Sequence, residues 1–347
     1  MNTRIRLVHC DSLSCEPIVR RAPDGALLCV SQCGDVTEPA PGNRVFAFRS
    51  LDNGETWQDA GLVYPESGEA VYGTEVTVLD GVISAQLQVH NGRFLNMRCV
   101  VMESRDSGLT WTNAGAPPHF PRFCFVRSLL RLANGEILFP CQAFPVSEEE
   151  NARLVVANHN IADFRRQRAI WDADVDHMEN DVIVRAGHGQ GWQRFAGPSI
   201  AVKGSTGRGW AWTEPTLAQL SDGTIVMLLR VDGSGRLWHS ESKDNGRTWT
   251  PAAPTDIPNP GNKPKLIAIP DGRFALLHTP NPTPGFHNRH PLALWISDDD
   301  LRSFSDRRVV TDFPGRYCYP DGFCENGHIL FTIEINRHEI LFFDCEL

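Results

Sequence analysis

Six times along the chain an apolar, strand-length run stops at Asp-Gly or Asn-Gly and a second apolar run begins. The turns are Asp24-Gly25, Asp80-Gly81, Asn134-Gly135, Asp222-Gly223, Asp271-Gly272 and Asn326-Gly327. Asx-Gly between two strands is a hairpin signal, because glycine takes the positive φ the turn needs. A second pattern is interleaved with the first. Ser50-Leu-Asp-Asn-Gly-Glu-Thr-Trp57 recurs at 104–111 and 242–249 as S-x-D-x-G-x-T-W, with a worn copy at 297–304. Each copy follows a strand-like run, at 45–48, 99–102, 237–240 and 292–296. The Ser and Asp side chains can bond backbone N–H groups within such a turn, and the Trp opens the next strand.

Six inner hairpins, four of them followed by an outer box hairpin, predict six blades of about four strands. The expected fold is therefore an all-β, six-bladed β-propeller over 1–347. The spacing of the turns is even except between Asn134 and Asp222. That gap is assigned a degenerate third blade and an insert near 171–212, rich in Gly, Trp and charge, as in Gly187-His-Gly-Gln-Gly-Trp192. The insert reads as a surface insertion, with a lid over the site as the alternative. The run at 4–9 is expected to pair with the run at 339–344, closing the ring and hiding two edges.

Composition narrows the function classes. The net charge of −9 makes nucleic acid and anionic membrane surfaces poor partners. No apolar run approaches the length of a membrane span, and the first residues carry no apolar leader. The ten cysteines are scattered without a C-x-x-C pair, which suits reduced core thiols in a cytoplasmic protein. The pair His287 and His290 lacks carboxylates in ligand register, so neither metal nor cofactor is expected. Nothing in the pattern specifies an oligomeric state.

Inner strands of a propeller end at the central channel. Aligning the copies on the Gly turn puts Glu16, Glu214 and Lys263 at one strand start, with Tyr72, Glu75, Arg127 and Tyr319 near it. Gln32, Gln88, Gln142, Arg230, Thr279 and Glu334 fall at the partner strand's end, with His90 and His278 close by. A third register precedes the boxes: Arg44, Arg98 and Arg236, with Arg289 before the worn copy. Large polar residues at equivalent positions imply a basic, carboxylate-containing pocket for an anionic ligand, since Arg forks grip carboxylates. The alternative is a merely wet channel.

The boxes resemble those of the Asp-box (BNR) repeat proteins, whose best-known members are sialidases. The resemblance covers nearly the whole chain and implies that the boxes are structural and sit at the outer rim. It further implies a site. Glu214 and Arg230, flanking Asp222-Gly223, match a sialidase glutamate and arginine, and Arg289 matches a second arginine. Tyr319 matches the tyrosine nucleophile. Arg230 and Arg289 would clamp a carboxylate, and Glu214 would take the Tyr319 proton in a retaining mechanism. The family's Arg-Ile-Pro reads Cys15-Glu16-Pro17 here, so its first arginine is absent, and Arg20 is out of register. Asp35 is the nearest acid/base candidate, with Glu38 behind it.

The implied activity is that of a sialidase-like glycoside hydrolase acting on an acidic or hydroxyl-rich sugar. The alternatives are a polysaccharide lyase cleaving next to a uronate, with His90, His278 or Tyr319 as base, and a non-catalytic sugar-binding propeller. Glu16 is expected to repel a substrate carboxylate or to pair with Arg44 or Lys263. Weak turnover of simple sialosides is the corresponding expectation.

Overall fold

The Asx-Gly turns and the boxes fall where the pattern puts them, and the sheets they join are six. The computed structural model describes residues 3–186, 191–202, 210–311 and 313–347. Strand β1 (Thr3–Cys10) opens the chain. Blade 1 follows as β2 (Ser14–Arg21), β3 (Leu27–Cys33), β4 (Arg44–Ser50) and β5 (Gln58–Leu62). Blade 2 is β6 (Ala70–Leu79), β7 (Val82–His90), β8 (Arg98–Ser104) and β9 (Thr112–Gly115). Blade 3 has a broken first strand, β10 (Cys124–Val126) and β11 (Leu130–Arg131). It continues through β12 (Ile137–Ala143), β13 (His177–Arg185), β14 (Trp192–Phe195) and a short β15 (Ile200–Ala201).

Blade 4 is β16 (Thr216–Gln219), β17 (Ile225–Leu229), β18 (Arg236–Ser242) and β19 (Ala253–Pro258). Blade 5 is β20 (Lys265–Ala268), β21 (Phe274–His278), β22 (Ala293–Ser297) and β23 (Asp306–Val309). Blade 6 holds β24 (Tyr317–Glu325), β25 (His328–Ile335) and β26 (Glu339–Glu346), and β1 completes it. The pairing of β1 with β26 runs antiparallel from Thr3 opposite Cys345 to Cys10 opposite Glu339, as the ring closure requires. Each blade is an antiparallel meander. No helix among the described residues is long and apolar enough to cross a membrane.

The insertion is displaced from its expected place. Residues 177–185, 192–195 and 200–201 form blade strands, and the extra chain lies earlier, at 144–176, between β12 and β13. It carries helix α1 (Glu148–Ala157), whose first turn is capped by Ser147 accepting from the Glu150 N–H at 3.0 Å. Asn151 of α1 exchanges hydrogen bonds with Asn96 of blade 2, at 2.9 and 3.0 Å. The sequence gap is real, but the span expected as insert contains the apolar run of β13, which is a blade strand. Gly187–Gln190 lie outside the described residues.

The hydrophobic core lies between blades. One cluster joins Ile18, Leu28 and Val45 of blade 1 to Val76, Leu87 and Met102 of blade 2. Others join blades 3 and 4, 4 and 5, and 5 and 6 in the same manner.

The boxes lock this arrangement from the rim. In each, the Ser hydroxyl accepts from the N–H at the Gly position, and the Asp carboxylate accepts from the Thr N–H and hydroxyl. These bonds hold Asp106 and Asp244 down at about 2, against the upward push of burial. The worn box keeps the same bonds with Ser303 in place of Thr, while Leu301 takes the glycine's place at φ 62°. The box glycines face the preceding blade. A Cβ on Gly108 would meet Leu28, and one on Gly246 would lie 2.6 Å from Leu138 Cδ2.

Gly246→Ala therefore combines a left-handed backbone (φ +84°) with a clash against the neighbouring blade. It is expected to lower stability by about 1–3 kcal/mol. The check is a thermal melt; an unchanged midpoint would show that the box does not set the blade spacing.

Candidate functional site

The site begins with three prolines. Glu16, Glu214 and Tyr319 each precede one, at Pro17, Pro215 and Pro320. Proline has no N–H to give to a ladder, so the inner strand must break there. In β2 the register shifts between Cys15 and Ile18, and in β24 between Cys318 and Asp321. Glu16 and Tyr319 take left-handed φ values of 50° and 55° at these breaks. In blade 4 the strand starts only at Thr216, directly after Glu214-Pro215. Arg127 stands in the gap between β10 and β11. A bulge re-aims one side chain out of the pleat, and here each re-aimed side chain lines the same cavity, of about 760 Å³.

Arg127 is the hub. It is 1% exposed, donates to Glu16, and lies 3.0 Å from Glu214 Oε1 and 2.9 Å from the Tyr72 hydroxyl. Arg230 holds the other Glu214 oxygen at 2.8 Å and places the same Nη1 3.5 Å from the Tyr319 hydroxyl. Its Nε donates to Asp232 at 2.9 Å. Burial pushes the Glu214 carboxyl up, but Arg230 and Arg127 outweigh it and hold the group at about 2. Burial, then Glu214 and Glu16, raise the Tyr319 phenol well above its ordinary value despite Arg230 and Arg289. Tyr319 is therefore a neutral phenol at rest.

Across the cavity Glu38 pairs with Arg337, and its Oε2 also takes the Cys15 thiol at 3.8 Å. Burial, Glu16 and Glu334 raise this carboxyl to about 7 against the pull of Arg337. Two carboxylates of one cavity thus stand at opposite ends of the range, one ionised and one poised to carry a proton. Arg289 is the exception among the four arginines. It is buried, its Nε has no hydrogen-bond partner, and among the described residues no carboxylate pairs with it. It lies over Phe286 at 4.8 Å and over Tyr319 at 5.8 Å, measured to the ring centroids.

The opposite wall is aromatic. Tyr72 stacks on Phe125 at 4.5 Å, and Phe125 lies parallel to Trp212 at 6.0 Å. Phe94, Trp171 and Trp210 complete the wall. Trp171 comes from the insertion, held by Arg93, whose guanidinium sits 5.3 Å over its ring. Asp232 accepts from the Trp212 N–H at 3.2 Å as well as from Arg230, so the charged floor and the aromatic wall share a support. The insertion contributes Trp171 to the cavity wall and is more than surface decoration.

Of the residues expected at the site, Glu16, Glu214, Arg230, Arg289 and Tyr319 line this cavity. Asp35 does not. Its carboxylate accepts from Val36 N at 2.7 Å and Gly42 N at 3.1 Å, tying up its own loop, while Glu38 three residues on faces the cavity. Arg44, Arg98 and Arg236 lie one strand further from the axis and pair with Glu66, Glu69 and Asp256. Repeat register had specified their height along the axis but not their distance from it. Lys263 is buried 3.7 Å from Asp321 in a second ion cluster with Arg20, Glu75 and Lys265. Glu16 accordingly pairs with Arg127, not with Arg44 or Lys263.

His90 accepts from the N–H groups of Gly92 and Phe94, and His278 packs edge-on against Trp295 at 4.3 Å. Burial lowers both to about 3, and neither lines the cavity. The residues the pattern missed are Asp232 and Arg337. Arg127 is legible near the strand-start register. Arg337 follows the last Gly turn and has no counterpart in other blades.

Four Asp boxes on a six-bladed ring, with a buried arginine–carboxylate cavity on its axis, define a propeller of the sialidase type. The chain belongs to the family described as BNR repeat-like domain, whose model matches residues 82–331. No curated protein sequence matches the chain. Among solved structures it is similar to a protein of unknown function from Dyadobacter fermentans, with TM-score 0.71, 15% identity, and 99% of each chain covered. It is also similar to a Hadza microbial sialidase, with TM-score 0.70 and 17% identity over 96% of this chain and 66% of that one. For a Trypanosoma rangeli sialidase in complex with sialic acid the TM-score is 0.65 and the identity 15%, over 98% of this chain and 55% of that one. The chain thus spans only about half to two thirds of the length of these sialidases.

Removing Arg127 leaves buried Glu16 without its cation and Glu214 with Arg230 alone. Arg127→Met is expected to cost about 3–5 kcal/mol, whereas Arg44→Met at the exposed Glu66 pair should cost under about 1 kcal/mol. Denaturant unfolding of the two variants measures the difference, and equal losses would contradict the hub.

Proposed function

We propose that the protein is a sialidase-like glycoside hydrolase acting on a sugar that carries one carboxylate. The observation that carries this reading is Arg289, a buried guanidinium without a carboxylate partner, facing Tyr319. Each of the other three arginines of the cavity is neutralised by Glu16, Glu214, Asp232 or Glu38. One uncompensated cation calls for one anionic group on the ligand. The charge of Glu16 is met by Arg127, which removes the reason for expecting it to exclude a sugar acid.

Tyr319 is the proposed nucleophile. Its oxygen bonds to the anomeric carbon as the glycosidic C–O bond breaks, and its proton passes towards Glu214, which Arg230 holds at the same place. Glu214 at about 2 is a weak base at rest. Its part is to receive the proton as the Tyr319 oxygen bonds to the sugar, and to return it to that oxygen when water breaks the bond. Glu38 is the proposed acid: it protonates the leaving oxygen, then takes a proton from the water that releases the sugar from Tyr319. The proposal replaces Asp35 in this role. The lyase reading loses two of its candidate bases, because His90 and His278 lie off the cavity.

The test is turnover of a panel of aryl and alkyl glycosides of acidic sugars, including a sialoside and a glucuronide. Hydrolysis without a new ultraviolet-absorbing double bond is expected. Since Glu38 must carry its proton for the first step, that step should slow as pH rises through about 7. Glu38→Gln should cost about 10²–10⁴-fold in kcat on an alkyl glycoside, and far less on an aryl glycoside whose leaving group needs no proton. Equal losses on both, or full activity of Tyr319→Phe, would overturn the assignment.

A further inference from the structure

The corner of the cavity between Arg289 and Arg337 combines features that the proposed chemistry does not use. Arg337 stands on the β25–β26 turn, where Asn336 and Arg337 take successive left-handed φ values of 56° and 67°. That turn carries its guanidinium onto Glu38, beside Cys15, Glu334 and Tyr319. Glu334 is faced by both Arg337 and Arg289, and its Oε1 has no hydrogen-bond partner. Two guanidinium groups therefore flank one corner. One forms no ion pair, and the other is paired with a carboxylate that can be protonated.

The remaining arginines cannot be freed in this way. Arg127 and Arg230 are bound to Glu214, which stays ionised at any ordinary pH. The groups facing Glu38 are Cys15 and Glu16 from β2, Glu334 from β25, Tyr72 from β6, and Arg337. Glu16 and Glu334 disfavour its charge and Cys15 gives it only a weak thiol hydrogen bond, so among these groups Arg337 is its one cation.

We infer that Arg337 is the specificity-determining residue for the ligand's anionic group, and that it captures this group by exchanging Glu38 for it. The ligand carboxylate moves onto Arg337 and Arg289. Glu38, deprived of its only cation, takes one proton from solvent and becomes the neutral acid. One anion and one proton enter together and the net charge of the corner is unchanged. Binding thereby arms the acid. The inference rests on the proposed acidic-sugar ligand, but it concerns binding and does not require turnover.

The experiment is calorimetric titration of the full chain, as the Tyr319→Phe variant so that no turnover intervenes, with N-acetylneuraminate and with glucuronate. Buffers of different ionisation enthalpy report the protons exchanged. Uptake approaching one proton per ligand is expected above pH 7, with affinity falling about tenfold per pH unit there. Glu38→Gln should abolish both the uptake and the pH dependence, and should bind the sugar acid more tightly than its parent at high pH. Arg337→Lys, which keeps the charge, should retain uptake with weakened affinity.

Binding of either acid without proton uptake would overturn the exchange, and so would an unchanged pH dependence in Glu38→Gln. Failure of both acids to bind would overturn Arg337 as an anion-capturing residue. Coupled uptake in a protein that hydrolyses nothing would instead leave this inference standing and remove the proposed hydrolase activity.

Discussion

The structure depends on a guanidinium buried where a propeller would otherwise be hollow. Arg127 reaches from blade 3 to Glu16 of blade 1, to Tyr72 of blade 2 and to Glu214 at the entry to blade 4. Arg230 continues the chain of charges to Tyr319 of blade 6. A second cluster, with Arg20, Glu75, Lys265 and Asp321, ties blades 1, 2, 5 and 6. Six sheets packed face to face by apolar clusters converge at an axis with little room for hydrophobic side chains. Charge pairs take their place there, and a buried pair broken on one side is far costlier than one never made. The same bonds that hold the axis also fix the protonation of the site.

The rim works by a different rule. Each box turn is satisfied by its own Ser and Asp, so it needs nothing from the neighbouring blade except room for a glycine. Because the box is self-contained, it repeats in the sequence and is easily read. The axis is not self-contained, since each of its charges is answered from another blade. That difference decides what was legible. The hairpins, the boxes and the closing pair of β1 with β26 follow from local periodicity. So does the convergence of Glu214, Arg230, Arg289 and Tyr319, because all four occupy repeat positions that proline breaks or strand ends turn inward.

What escaped the sequence has equally physical causes. Arg44, Arg98 and Arg236 share a register that fixes height along the axis but not radius, and one strand outward suffices to put them in solvent-facing pairs. His90 and His278 end the right strands but are held off the cavity, His90 by the N–H groups of Gly92 and Phe94 and His278 against Trp295. Asp35 and Glu38 lie on one loop, and only the loop's hydrogen bonds reveal which carboxylate is consumed by its own backbone. Arg337 belongs to a three-residue turn where the other blades have longer connections, so no repeat position announces it.

The closure of blade 6 by β1 has a consequence in time. Tyr319 on β24 and Arg337 on the β25–β26 turn belong to a sheet that is finished only when residues 3–10 pair with residues 339–346. A ribosome releases the first of these segments long before the last, and until then β1 has no partner and the axis lacks its sixth side. Blades 1 to 5 can collapse in order as they emerge, yet Glu16 and Glu214 then face an open gap where Tyr319 will stand. The cavity is thus the last part of the molecule to exist. A chain that stops between Arg337 and β26 would carry every residue of the site but lack β26, and with it the pairing of β1 that finishes the sheet holding Tyr319.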